Sequence, residues 1–115
     1  MESVEFKRED NQLVIYLYGD VDNKACNEYK ATIIGTINKY PYLDVTLDLS
    51  NVSFIDSSGI GMILGRYNQL HQQNKTLTLR GVNKNIDKLF TLTGIWKLVN
   101  KSKEKRVAVW SIQWR

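Results

Sequence analysis

At 115 residues the chain matches the usual length of one compact domain, expected here over residues 1–115. Hydrophobic residues make up 43% of it, enough for one core, and no apolar run approaches the roughly 18 residues needed to cross a membrane. The opening MESVEFKRED carries acids and no apolar run, unlike a signal peptide, and the single cysteine, Cys26, excludes an internal disulfide, so a reducing cytoplasm is expected.

In chain order, Val4–Arg8 and Leu13–Tyr18 favour strands, with the polar turn Glu9–Gln12 between them, and predict a hairpin. The polar connection Gly19–Asn23 ends in good helix N-caps. Behind it Cys26, Tyr29, Ile33 and Ile37 recur at helical spacing to about Lys39, where Tyr40–Pro41 stops the helix. Val45, Leu47 and Leu49 alternate with polar residues as in a half-buried strand, and Val52–Ile55 leads into Asp56-Ser57-Ser58-Gly59. A second helix is predicted from Ser58 to about Gln73. Its wheel groups Ile60, Ile63, Leu64, Tyr67, Leu70 and His71 on one face and turns Met62 almost opposite, toward solvent. Thr76–Gly81 alternates as a strand, and Asn83–Thr93 forms a third helix with Ile86, Leu89 and Phe90 inward and Gly94 as its stop. For the last fifteen residues helix and strand periods fit equally well. The order gives a mixed sheet whose crossover through the second helix joins parallel strands. The Asp56–Gly59 turn then falls at the carboxyl end of a strand, the edge where open α/β sheets carry function.

Catalysis finds little support. Ser57 and His71 stand at opposite ends of one helix, roughly 20 Å apart at 1.5 Å per residue, too far to act as nucleophile and base. One His and one Cys make no zinc site, and Gly59–Arg66 fails both phosphate-loop patterns. The net charge of +4 is mild. The basic residues Lys97, Lys101, Lys103, Lys105 and Arg106 read as a solvated surface, because they lack the interleaved aromatics of a nucleic-acid face, although Trp96, Trp110 and Trp114 flank them. What remains is Asp56, Ser57 and Ser58 at a helix N-terminus, followed by Gly61 and Gly65 at i and i+4. The glycines suit either tight packing on a neighbour or the approach of a partner. Cys26 falls on the buried stripe of its helix.

LDLSNVSFIDSSGIGMILGRYNQL, Leu47–Leu70, resembles the signature of the STAS-domain anti-anti-sigma factors. GDVDNKA at Gly19–Ala25 and KLFTLTGIWKLV at Lys88–Val99 extend the match, and IDSSGIGMILGRYNQL is most similar to the sporulation branch that antagonises the anti-sigma-F factor. The resemblance implies an α/β fold, a single STAS-type domain with helices packed on a mixed sheet (β-β-α-β-α-β-α-α), and a final helix. It implies a non-enzymatic, monomeric antagonist without cofactor, metal, membrane or nucleic acid. Its partner would be an anti-sigma factor that is itself a serine kinase loaded with ATP or ADP. That partner would phosphorylate Ser57 and so switch binding off, and a PP2C-type phosphatase would restore it. Asp22, Asn23, Asp56, Ser58, Gly59, Ile60, Gly61 and Met62 would form the partner surface, with N-capping as a further role for Asp22. General-stress antagonists share DSSG, and a STAS domain sensing a nucleotide or small anion at the same helix start is the reading of another class. The Trp-rich end VAVWSIQWR has no counterpart in the resemblance.

Overall fold

The computed structural model describes residues 3–102. Strand β1 (Val4–Glu9) pairs antiparallel with β2 (Gln12–Tyr18) through a two-residue turn, in which Asp10 takes a left-handed φ of 55°. Aspartate tolerates that conformation better than most residues. Helix α1 (Asn23–Lys39) buries Cys26, Tyr29, Ile33 and Ile37, the stripe its spacing predicts, and ends at Tyr40 before proline. Strand β3 (Asp44–Asn51), helix α2 (Ser57–Gln72), strand β4 (Leu77–Arg80) and helix α3 (Lys84–Leu92) follow. Asn83 caps α3 by accepting from the Ile86 N–H at 2.8 Å, and Gly94, at a φ of 81°, makes the left-handed exit.

The five described strands lie in chain order, β1 to β5 (Asn100–Lys101), and every pair among them after the hairpin is parallel. Successive right-handed crossovers stepping in one direction put α1, α2 and α3 on one face. Their buried side chains, Ile33, Ile37, Ile63, Leu70 and Phe90 among them, share one core with the inward-facing strand residues: Leu13, Ile15 and Leu17, Val45, Leu47 and Leu49, Leu77 and Leu79. Each fully buried aliphatic contributes about 1.5–3 kcal/mol over its exposed state. The alternate positions, Val14, Tyr16, Thr46, Asp48, Thr78 and Arg80, face the other way. There Arg80 Nε donates to Asp48 Oδ2 at 2.8 Å and Arg80 Nη2 to the Tyr16 hydroxyl at 3.1 Å, while that hydroxyl donates to Glu9.

The mixed α/β sheet agrees with the sequence reading, with three local differences. His71, expected on the apolar face of α2, is exposed and stacks on Tyr67 with ring centroids 5.4 Å apart. Met62, expected at the surface, is 4% exposed. After α3 the chain makes a 3-10 turn (Ile95–Lys97) and then β5, neither of which was expected. The expected final helix and the Trp-rich end lie outside the described residues.

Candidate functional site at two joined helix N-termini

Two loops meet at the carboxyl ends of β2 and β3. Gly19, at a φ of 83°, turns the chain out of β2, and its N–H donates to the Asn51 carbonyl at 3.1 Å. Val21 and Ile55 then form an isolated parallel bridge. The Val21 N–H donates to the Phe54 carbonyl at 2.9 Å and the Asp56 N–H returns to the Val21 carbonyl at 3.3 Å. Both bridge side chains are buried, which anchors the loops to the core. Ser53 Oγ adds a bond to Asp20 Oδ1 at 3.3 Å. The start of α1 is thereby held beside the start of α2.

An aspartate caps each helix. Asp22 Oδ1 accepts from the Ala25 N–H at 2.9 Å. Asp56 Oδ1 accepts from the N–H groups of Ser58 at 2.8 Å and Gly59 at 3.1 Å. Such caps stabilise by about 1 kcal/mol each, since the first N–H groups of a helix have no partner within it. Ser57, the first residue of α2, is exposed, and its hydroxyl makes no hydrogen bond to the described residues. Ser58 points instead to α1, where its hydroxyl bonds Asn23 Oδ1 at 3.2 Å. The two adjacent serines thus differ in kind: one ties the helices together and the other is presented to solvent.

Gly59 is buried, and a Cβ there would lie 2.6 Å from both the Val21 carbonyl oxygen and Ile55 Cγ2. Its place in the site is to let α2 start hard against the Val21–Ile55 bridge. Gly61 and Gly65 are the opposite case, with nothing within 4 Å of an added Cβ. They line a cleft of about 380 Å³ between α1 and α2, together with Asn23, Cys26, Ser58 and Met62. Lys30 and Arg66 also line it, further along the two helices. Burial pushes the Cys26 thiol up first, and the Asp56 and Asp22 carboxylates push it further, so both caps act on the same buried atom.

Of the predicted site residues, Asp22, Asn23, Asp56, Ser57 and Ser58 converge on this edge, with Ile60 half-buried beside them and Gly61 open on the cleft. Met62 is corrected from an exposed contact to a buried residue. The wheel assumed that only the sheet covers α2, whereas α1 covers a second side. Phe54 was missed. It is 52% exposed, two residues before Asp56. Its signal lay in the run Val52-Ser53-Phe54-Ile55, where Val52 and Ile55 are buried and the aromatic between them is left outside. His71, at the far end of α2 from Ser57, takes no part.

Fold and edge together define a small α/β domain whose polar, capped helix starts gather at one end of the sheet. The family model described as "Mlab, STAS domain" matches residues 4–100, and the chain belongs to the STAS domain family. It is 27% identical over 96 residues to an anti-sigma F factor antagonist of Paenibacillus polymyxa, covering 84% of this chain and 82% of that one. An anti-sigma-B factor antagonist of Staphylococcus epidermidis is 40% identical over 57 residues, a match spanning 50% of this chain and 53% of that protein. Among solved structures, the anti-sigma factor antagonist SpoIIAA in its unphosphorylated form superposes with a TM-score of 0.70 at 21% identity, covering 96% of this chain and 97% of that one. An anti-sigma-factor antagonist (STAS) domain protein from Planctomyces limnophilus gives 0.80 at 16% identity, covering 96% and 97%.

Proposed function

We propose that this chain is an anti-sigma factor antagonist whose unphosphorylated form docks an anti-sigma factor on the edge formed by the starts of α1 and α2. The observation that carries the reading is the state of Ser57: exposed, unbonded, on the first turn of a helix, between a neighbour that is tied down and a capping carboxylate. The docking surface comprises Asp22, Asn23, Asp56, Ser58, Ile60 and Gly61, with Phe54 as an added apolar contact. Gly59 and Met62 support it from beneath. The anti-sigma factor is a serine kinase that carries the ATP, so this chain needs no cofactor. It phosphorylates Ser57, and a PP2C-type phosphatase reverses the step. The setting is cytoplasmic, and the antagonist acts as a monomer.

Phosphate on Ser57 adds a charge of roughly −1.5 to −2 at neutral pH. The two N–H groups that would soften it, those of Ser58 and Gly59, are already taken by Asp56. The dianion therefore stands against a carboxylate and must be desolvated on docking without a partner of its own. Such a burden costs several kcal/mol, and each 1.4 kcal/mol is tenfold in affinity.

The match over 96 residues to an anti-sigma F antagonist supports sporulation as the pathway. The higher identity over 57 residues to anti-sigma-B antagonists supports general stress as the second reading. Incubating the chain with ATP and each type of anti-sigma kinase, followed by mass spectrometry and a binding titration, tests both. Phosphate should appear on Ser57 with one kinase only, and the modified protein should keep its melting temperature yet bind at least about a hundredfold more weakly. Phosphate on Ser58, or equal binding by both forms, would sink the reading.

A further inference from the structure

The cleft between α1 and α2 has two unlike ends. At the helix starts it is lined by Asn23 and Ser58, beside the capping carboxylates of Asp22 and Asp56. Roughly 10–12 Å further along the helices, at 1.5 Å per residue, it is lined by Lys30 and Arg66. Neither cation forms an ion pair among the described residues, and α2 contains no acidic residue. The one acid of α1, Glu28, sits two residues before Lys30, about 160° away around the helix.

Arg66 is half-buried and fixed in place. Its Nε donates to Gln69 Oε1 at 3.0 Å. Gln69 Nε2 in turn donates to the Ile34 carbonyl at 3.3 Å and to Asn38 Oδ1 at 3.1 Å, both on α1. The guanidinium is thus tied to both helices, yet its Nη1 is buried with no acceptor among the described residues. Buried donors almost always find acceptors, so an orphan on a charged group marks an incomplete site. Burial alone pushes Arg66 below its usual value, with no anion to offset it. Arg80, also half-buried, is lowered by burial but raised overall by its partners, Asp48 foremost.

The way in is open. Gly65, next to Arg66, and Gly61, one turn earlier, present no side chain, and nothing lies within 4 Å of a Cβ at either. The cleft is also continuous with the proposed docking edge, since Asn23, Ser58 and Gly61 belong to both. We infer, on the reading that this edge docks an anti-sigma factor, that the cleft receives an acidic side chain of that partner and seats its carboxylate on Arg66, with Lys30 as the outer cation. A guanidinium suits this role because its planar fork pairs with a carboxylate through two parallel hydrogen bonds. Acids at the helix starts and cations at the far end then fix the direction in which the partner lies.

Titrations of the full-length chain with the anti-sigma kinase test this, using whichever of the two kinase types binds the unaltered protein. Lys30 is exposed, so its charge can be changed without disturbing the core. Affinity should hold in Lys30→Arg, fall about two- to fivefold in Lys30→Gln, and fall further in Lys30→Glu. Lys30→Glu binding as well as Lys30→Gln, or better, overturns the proposal, because the facing group is then not an acid. Arg66→Gln should lose at least about tenfold, and Arg66→Lys should recover part of it. Gly65→Leu, which fills the gap and keeps both cations, should also weaken binding at least about tenfold. Unchanged binding by either Arg66→Gln or Gly65→Leu overturns the proposal as well. Should Arg66→Gln fail to fold, the Lys30 series and Gly65→Leu decide. Ser57→Asp separates this inference from the reading beneath it. If Ser57→Asp loses binding while the Lys30 and Arg66 variants keep it, the docking edge stands and the role of the cleft falls. If the unaltered chain binds neither kinase, both fall.

Discussion

Gly59 and Gly61 are near neighbours at the start of α2 but behave as different residues, and their substitutions should separate cleanly. At Gly59 a methyl meets backbone oxygen at 2.6 Å, so the start of α2 must move away from Val21. Gly59→Ala should cost at least about 1–3 kcal/mol in urea unfolding, the usual range for forced overpacking. At Gly61 the space is open, and the backbone is helical. Gly61→Ala should gain up to about 1 kcal/mol from helix propensity. If the two variants unfold alike, the close approach at the Val21–Ile55 bridge is not what Gly59 serves. Met62 gives a second contrast. Being 4% exposed, it should lose about 2–5 kcal/mol on Met62→Ala, which a denaturation curve measures directly. A loss well under about 1 kcal/mol would return Met62 to the surface that the sequence suggested.

Among the elements, those with a long period were legible and those without one were not. Eight residues of β3 and seventeen of α1 repeat their sequence pattern several times, so the period stands out against chance. The two residues of β5 contain no period at all. Their place is set by tertiary contacts: Lys101 Nζ and the Trp96 indole N–H both donate to Asp87 Oδ1, each at 2.9 Å. This pairing across elements could not be read from spacing. It also gives β5 an acid sensitivity. The hydrogen bond from Lys101 foremost, and that from Trp96, hold Asp87 below the usual carboxylate range. A lowered value means that the bond stabilises above the ordinary carboxylate value of about 3.9 and is lost as pH falls through the lower, folded one. The Trp96 indole resonance should therefore shift on acidification below about pH 4, and that shift should vanish in Asp87→Asn. A shift that persists in the variant would assign the acid response to another group. The candidate site was legible for a similar reason, since a capping aspartate, serines and glycines are local signals. Met62 was misread and Phe54 missed because their exposure depends on α1 and on the buried bridge, neither of which lies in their own segment.

For the whole molecule, the edge works because two crossovers deliver their helix starts to the same end of the sheet and the Val21–Ile55 bridge joins them. The strand order that achieves this also bears on how the chain reaches its fold. Every described strand pairs with its neighbour in sequence, β1 with β2 through to β4 with β5. No pairing among these strands then waits on a loop longer than one crossover, and the entropy of closing each loop stays small. The sheet can grow by addition at one margin as the polypeptide emerges during synthesis, each new strand finding the last one already in place. Both loops of the edge belong to the part of the chain that precedes β4, so the surface can be assembled before the C-terminal third has been made.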